Sequence, residues 1–267
     1  MLYQATHVTK YEYEAPVVQS LNEARLIPRT LPWQHVLETR FHVATFSVFR
    51  PHDEFIATAT SVVEVLARQD RSIPDVSWED AQRLLASHVE DEALPAFEFV
   101  HESPFVPVST TLANYARLSF SPGRPLADAA LDLCHRIKKD FKYKPKSTKI
   151  ETPLAEILRQ RAGVCQDFAH VMVGALRSLR LAARYVSGYL RSGELGAEAS
   201  HAWVSVYIPG YGWLDLDPTN DVIPSLGHIT LAWGRDYGDV PPFKGISLGG
   251  GGHTVDVEVT VKPLERH

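Results

Sequence analysis

The sequence predicts an α+β protein, with a β-rich amino-terminal region ahead of a core that mixes helices and strands. Three observations carry this. Residues 3–13 and 55–66 are rich in β-branched and aromatic side chains and carry no helical stripe. Apolar residues recur at spacings of three and four in two later segments, 127–141 and 165–179. Three strand-like runs follow the second stripe, at 183–190, 202–208 and 213–216.

The elements follow in chain order. Residues 20–29 look less regular and are closed by Pro28 and Pro32. Residues 77–89 turn helical, and the proline-punctuated stretch 95–107 reads as loop. Ser121-Pro122-Gly123-Arg124-Pro125 is the sharpest turn signal in the centre of the chain. It marks a boundary, giving an expected β-rich domain over 1–66, a helical and loop connection over 67–125, and a second domain over 126–267. Within the last, Thr152 before Pro153 starts a short helix that Gly163 stops. Pro209-Gly210-Tyr211-Gly212 joins the last two strands of the core. A flexible Gly249-Gly250-Gly251-Gly252 run precedes an alternating strand over 254–261.

Composition narrows the functional classes. The 267 residues include 27 Lys and Arg against 32 Asp and Glu, a net charge of −5. No basic run offers the footprint that a phosphate backbone requires, so nucleic acid is not an expected partner. No stretch of about 18 apolar residues suggests a membrane span, and the amino terminus lacks a basic segment followed by an apolar run. The cytoplasm is the expected address. Two cysteines, Cys134 and Cys165, are too few for a disulfide framework or a four-thiolate metal site. Twelve histidines occur without a His-Glu-x-x-His pattern, so neither metal nor cofactor is assigned.

Cys134 lies on the apolar stripe of its helix and reads as a small buried hydrophobe. Cys165 sits at a helix start, where unpaired N–H groups and the helix dipole favour a thiolate. A catalytic His and its carboxylate must be neighbours, and on a hairpin the partners are residues equidistant from the turn centre. For His201 and Asp217 that centre is Pro209, where Gly210 can supply a left-handed residue. In this register Asp215 faces Trp203 and is the second choice as partner.

At this point the residues resemble a known group. Gly163-Val164-Cys165-Gln166-Asp167-Phe168-Ala169-His170, the strand Ala183-Arg184-Tyr185-Val186-Ser187-Gly188-Tyr189-Leu190, His201-Ala202-Trp203-Val204 and Gly212-Trp213-Leu214-Asp215-Leu216-Asp217-Pro218-Thr219-Asn220 are similar to the bacterial transglutaminase-like cysteine peptidase family. Thr6-His7, Tyr11-Glu12-Tyr13, Asn22-Glu23-Ala24-Arg25-Leu26 and Pro28-Arg29 resemble its amino-terminal region, and Gly234-Arg235-Asp236-Tyr237 with Asp239-Val240-Pro241-Pro242 its carboxy-terminal end. The resemblance implies a papain-like, transglutaminase-like α+β core with Cys165 as nucleophile, His201 as base and Asp217 as orienting carboxylate. Two departures stand out. Ser205 replaces a family glutamate, and an Asp-x-x-Gly-Asn hairpin is missing between Val43 and Pro51, so the first sheet is expected to be a strand or two short.

His170, five residues after Cys165, lies about 140° round the helix and cannot share the thiol's face. Trp203, Trp213 and Tyr143 are candidate groove residues, with packing the plainer reading of each. The leading function is a cysteine-dependent peptidase or amidase acting through a thioester on a peptide, protein or small amide. The alternatives are a transglutaminase that passes the acyl group to an amine and a non-catalytic binding module. A histidine-based metal hydrolase is the remaining class. Hydrolysis is expected over transfer, because the polar loop at 191–200 is short for an amine channel.

Overall fold

A computed structural model describes residues 1–39, 45–68, 71–87, 94–191, 193 and 200–265. Four strands open the chain: β1 (Leu2–Ala24), β2 (Gln34–Thr39), β3 (Thr45–Val48) and β4 (His52–Val65). Helices α1 (Trp78–Ser87), α2 (Leu94–Phe97), α3 (Thr110–Arg117) and α4 (Leu126–Asp140) follow. Next come β5 (Lys142–Tyr143), α5 (Leu154–Gln160), β6 (Ala162–Gly163), α6 (Cys165–Ser178), β7 (Ala183–Leu190), β8 (His201–Ile208) and β9 (Gly212–Leu216). The chain closes with β10 (His228–Gly234), β11 (Phe243–Gly249) and β12 (His253–Leu264).

Among the described residues the first sheet has six strands, with β1 as its spine. β1 runs for 23 residues because it has a partner on both edges along most of its length, first β4 and β12, then β3 and β11. Residues 20–24, read from sequence as irregular, are strand for that reason. One face alternates inward: Tyr3, Ala5, His7 and Thr9 are buried, as are their partners Val63, Ser61, Ala59 and Ala57. His7 is a polar residue on this inner face, satisfied by Thr9 Oγ1 at 2.8 Å and the Tyr189 hydroxyl at 3.1 Å. Burial pushes its pKa down to about 4.

The last two strands belong to this sheet, so the chain returns to its start. The glycine run makes the connection between β11 and β12: Gly249, Gly250 and Gly251 have φ of 92°, 90° and 65°, values other residues seldom adopt. The missing-hairpin expectation falls partly on residues 40–44, outside the described residues. β3 follows directly and pairs with β1. Residues 95–107 are not all loop, since α2 and a 3₁₀ turn at Glu98–Val100 occupy their start.

The second sheet is antiparallel, in the order β10-β7-β8-β9. On one face lies α6, whose Phe168, Ala169, Val171, Met172, Val173, Ala175 and Leu176 are all buried. A helix apolar on every side must be enclosed, and α3, α4 and α5 complete its cover. Every residue of β8 is buried, so the sheet's other face is covered too. There Gln34 inserts from the first sheet. Its side-chain amide exchanges two bonds of 2.8 Å with the Thr230 backbone, at the point where the β10 register slips. The architecture is α+β, a helix-backed core sheet beneath an amino-terminal β layer. Among the described residues no helix is long and apolar enough to cross a membrane.

Candidate active site

Cys165 is the first residue of α6, and the sequence before it explains how it is held. The short parallel pair β5 and β6, extended by Lys144 N–H to the Gly163 carbonyl at 2.8 Å, delivers the chain to the helix. Asp167 then caps it: Oδ2 accepts the Val164 N–H at 2.8 Å and the Thr148 hydroxyl at 2.6 Å. Burial raises the Asp167 pKa, and these two bonds oppose the rise. Gly163 must be glycine here, because a Cβ would lie 2.4 Å from Asp167 Oδ2. The Cys165 N–H is among the first of α6, which have no acceptor within the helix and can face an oxyanion. The sulfur lies 4.0 Å from the Ser200 carbonyl oxygen.

His201 begins β8 next to that carbonyl. Its Nε2 meets Asp217 Oδ2 at 2.9 Å, with both side chains fully buried. Nδ1 is buried, and the Cys165 thiol lies beside the ring. Burial lowers the His201 pKa, but the Cys165 charge and the hydrogen bonds with Asp217 and Cys165 outweigh it and push the value up to about 10. For Asp217, burial acts upward, yet the bonds from His201 and His228 hold it far below the ordinary carboxylate range. An imidazolium beside a carboxylate is the favoured charge state.

The hairpin reaches this geometry in a different register from the one expected. Ser205 faces Asp215 and Ile208 faces Gly212, which centres the loop on Gly210 instead of Pro209. Pro209 and Gly210, the latter at φ 76°, form the middle of a turn closed by Tyr211 N–H to the Ile208 carbonyl at 3.0 Å, the type II pattern. This moves each cross-strand partner by two residues, which keeps every side chain on its face. Asp217, just past the end of β9, becomes a diagonal neighbour of His201 and still reaches it. Asp215 does not: it accepts from Ser205 Oγ and pairs with Arg68.

No motif in the sequence marks His228. Its Nε2 lies 3.1 Å from the same Asp217 oxygen, which also accepts Asn220 Nδ2–H at 2.9 Å. Asp217 Oδ1 takes the backbone N–H of Thr219 at 2.9 Å and of Asn220 at 3.2 Å. His201, Asp217 and His228 each offer a ligand atom within 4.8 Å of the others, a grouping that could be read as a metal site. Hydrogen bonds account for it, and the Asn220 amide points a donor where a cation would need an acceptor.

The remaining candidates fall into place around this centre. Trp203 is fully buried, stacks on His201 at 6.2 Å and meets His228 edge-on at 5.3 Å, so it supports the two imidazoles from within. Tyr143, half-buried, packs against Phe168 and pairs with Gly163 on the loop that leads to Cys165. Trp213 packs on Phe99 and Tyr207. His170 is a core acceptor for the Tyr237 N–H at 3.1 Å and stacks on Phe105. Cys134 is buried, its pKa raised first by burial and then by Asp217 and Asp221.

Comparison with known proteins agrees with this architecture. Residues 114–218 match the Transglutaminase-like superfamily and residues 3–45 the Bacterial transglutaminase-like N-terminal region. The chain is 35% identical over 300 residues to the Mycobacterium tuberculosis protein Rv2569c, covering 98% of this chain and 93% of that one. It is 30% identical over 127 residues to a protein-glutamine gamma-glutamyltransferase of Pseudomonas aeruginosa, covering 44% of this chain and 19% of the other. A solved structure from Cytophaga hutchinsonii, named a "Putative Cysteine Protease", superposes with a TM-score of 0.76 at 21% identity, over 100% of this chain and 92% of that one, and so shares the fold. The chain belongs to the transglutaminase-like superfamily, in the branch that carries the bacterial transglutaminase-like N-terminal region.

Proposed function

We propose that the protein is a cysteine-dependent hydrolase of amide or peptide bonds, working through a thioester on Cys165. The observation that carries the reading is the relay from Cys165 at the start of α6, past His201 Nδ1, through Nε2 to Asp217 at 2.9 Å. In this scheme the Cys165 thiolate attacks the substrate carbonyl carbon, forming a C–S bond while the Cys165 N–H holds the oxyanion. His201 Nδ1–H then protonates the amine as the C–N bond breaks. Water attacks the thioester next, giving its proton to His201. The C–S bond breaks, the acid leaves, and the thiolate and imidazolium are restored. Asp217 keeps Nε2 protonated and its ring in place throughout.

The substrate class is a peptide, a protein or a small amide, and Tyr143, beside the loop that carries Cys165, is the proposed groove residue. Two free cysteines and no disulfide fit a reducing compartment, so we assign the protein to the cytoplasm. Acyl transfer to an amine is the second reading, favoured by the likeness to the Pseudomonas aeruginosa transferase. Residues 192 and 194–199, on which the sequence argument against an amine channel rested, lie outside the described residues. Product partition separates the two: with an amide substrate and a millimolar lysine analogue, hydrolysis gives mainly free acid. Mainly amine-linked product would replace this reading with the second.

A further inference from the structure

We propose that a cavity on the face of the core sheet opposite α6 is a second ligand site, one that takes a carboxylate or phosphate group carried on an aromatic or apolar body. The cavity has a volume of 460 Å³, within the range of roughly 300–1,000 Å³ that suits small molecules. None of Cys165, His201 and Asp217 lines it, so the inference stands apart from the chemistry proposed above.

Charge in the cavity is unbalanced. Arg68, Arg71 and Arg184 line it against the carboxylate of Asp215, and Asp215 is already engaged by Arg68 and Ser205. Arg184 is the central group. Its guanidinium lies between two indoles, 4.1 Å from the Trp213 ring centre and 4.2 Å from that of Trp233. Its Nε is buried without a hydrogen-bond partner, and no other described residue takes its remaining donors. Burial lowers its pKa to about 10, yet it stays charged at neutral pH. Arg71 stands exposed at the rim over Tyr211, 5.6 Å from the ring centre.

A purely structural role, pinning the hairpin to β10, explains the stacking of Arg184. It leaves the two terminal nitrogens of a side chain that lines the cavity without an acceptor among the described residues. A guanidinium fork with free donors matches the two oxygens of a carboxylate or phosphate, and the flanking indoles offer flat faces to an aromatic or apolar body. The site thus recognises an anion with a body, not a bare ion.

Calorimetric titration of the full chain tests this with 3-phenylpropionate and phenyl phosphate, and with 3-phenylpropanol as the neutral control. At least one anion should saturate in the millimolar range or below, with the alcohol about tenfold weaker or worse, since charge-assisted bonds supply the difference. The tighter of the two anions identifies the head group. Arg184→Met, which keeps the side chain's bulk, should weaken that anion about tenfold, and Arg71→Gln about threefold. Prior carbamidomethylation of Cys165 should leave binding unchanged. If Arg184→Met fails to fold, the exposed Arg71→Gln decides alone. No saturation by either anion, equal binding of the alcohol, wild-type affinity in the folded variants, or loss of binding on Cys165 alkylation would each overturn the proposal.

Discussion

Replacing Asp217 by asparagine removes one charge and disturbs five hydrogen bonds, and those bonds set the size of the effect. Oδ2 serves His201, His228 and the Asn220 side chain, while Oδ1 serves two backbone N–H groups. An amide has a single oxygen. With that oxygen toward the imidazoles, its NH₂ opposes the Thr219 and Asn220 N–H groups. Turned the other way, it opposes both rings and the Asn220 amide. Each buried group left unmatched costs about 1–3 kcal/mol, so with two N–H groups unmatched a loss of roughly 2–6 kcal/mol in unfolding free energy is expected. The imidazolium loses a charge-assisted bond as well, and kcat/KM should fall by roughly 10² to 10³, equivalent to about 3–4 kcal/mol. Because the carboxylate helps hold His201 up near pKa 10, the alkaline limb of the pH profile should also move to lower pH in the variant. The assay is kcat/KM against pH on an amide substrate, paired with urea unfolding. Asp215→Asn is the control, since Asp215 bonds to Ser205 and Arg68 and not to His201. Activity of Asp217→Asn within threefold of wild type, or a larger loss for Asp215→Asn, would rule out this role for Asp217.

Other outcomes follow from the same geometry. Iodoacetamide should label Cys165, beside His201, much faster than Cys134, whose thiol burial keeps protonated; site-resolved mass spectrometry reads the ratio, and equal labelling would contradict the assignment. His228→Ala should lower kcat about tenfold with KM little changed, because it acts through Asp217, and His228→Gln, which keeps a donor, should restore most of the rate. His7 and His170 are both pushed down to about 4 by burial. An unfolded chain takes up their protons near pH 6.5 while the folded chain refuses them, so their contribution to stability is full above about 6.5 and is lost toward 4. Tm should decline over that interval, and less steeply in His7→Gln; parallel curves would count against the linkage.

What the sequence reveals depends on how local the cause is. The stripes of α4 and α6 and the runs of β7, β8 and β9 are legible because burial on a known period leaves a pattern within one segment. The meeting of His201 with Asp217 is also legible, because the face a residue occupies survives a two-residue change of partner. The register itself is not, since it rests on the backbone that Gly210 and Gly212 adopt, at φ 76° and 99°. β10 and β11 leave little local trace. Each is strand because of a distant partner, β10 on β7 and β11 on the far half of β1. His228 escapes with its strand, lacking a motif to mark it. Trp203 shows another limit, for a tryptophan beside His201 could line a groove or brace a ring. It is completely buried against His201 and His228.

The proposed thioester on Cys165 is open to direct trapping. Enzyme mixed with a labelled peptide amide is quenched in acid within its first turnovers, digested and mapped by mass spectrometry. The acyl group should appear on the peptide bearing Cys165, come off with hydroxylamine, chase to free acid in water, and be absent from Cys165→Ala, which should show no turnover. An acyl group on Cys134, or substrate cleavage that persists in Cys165→Ala, would contradict the claim.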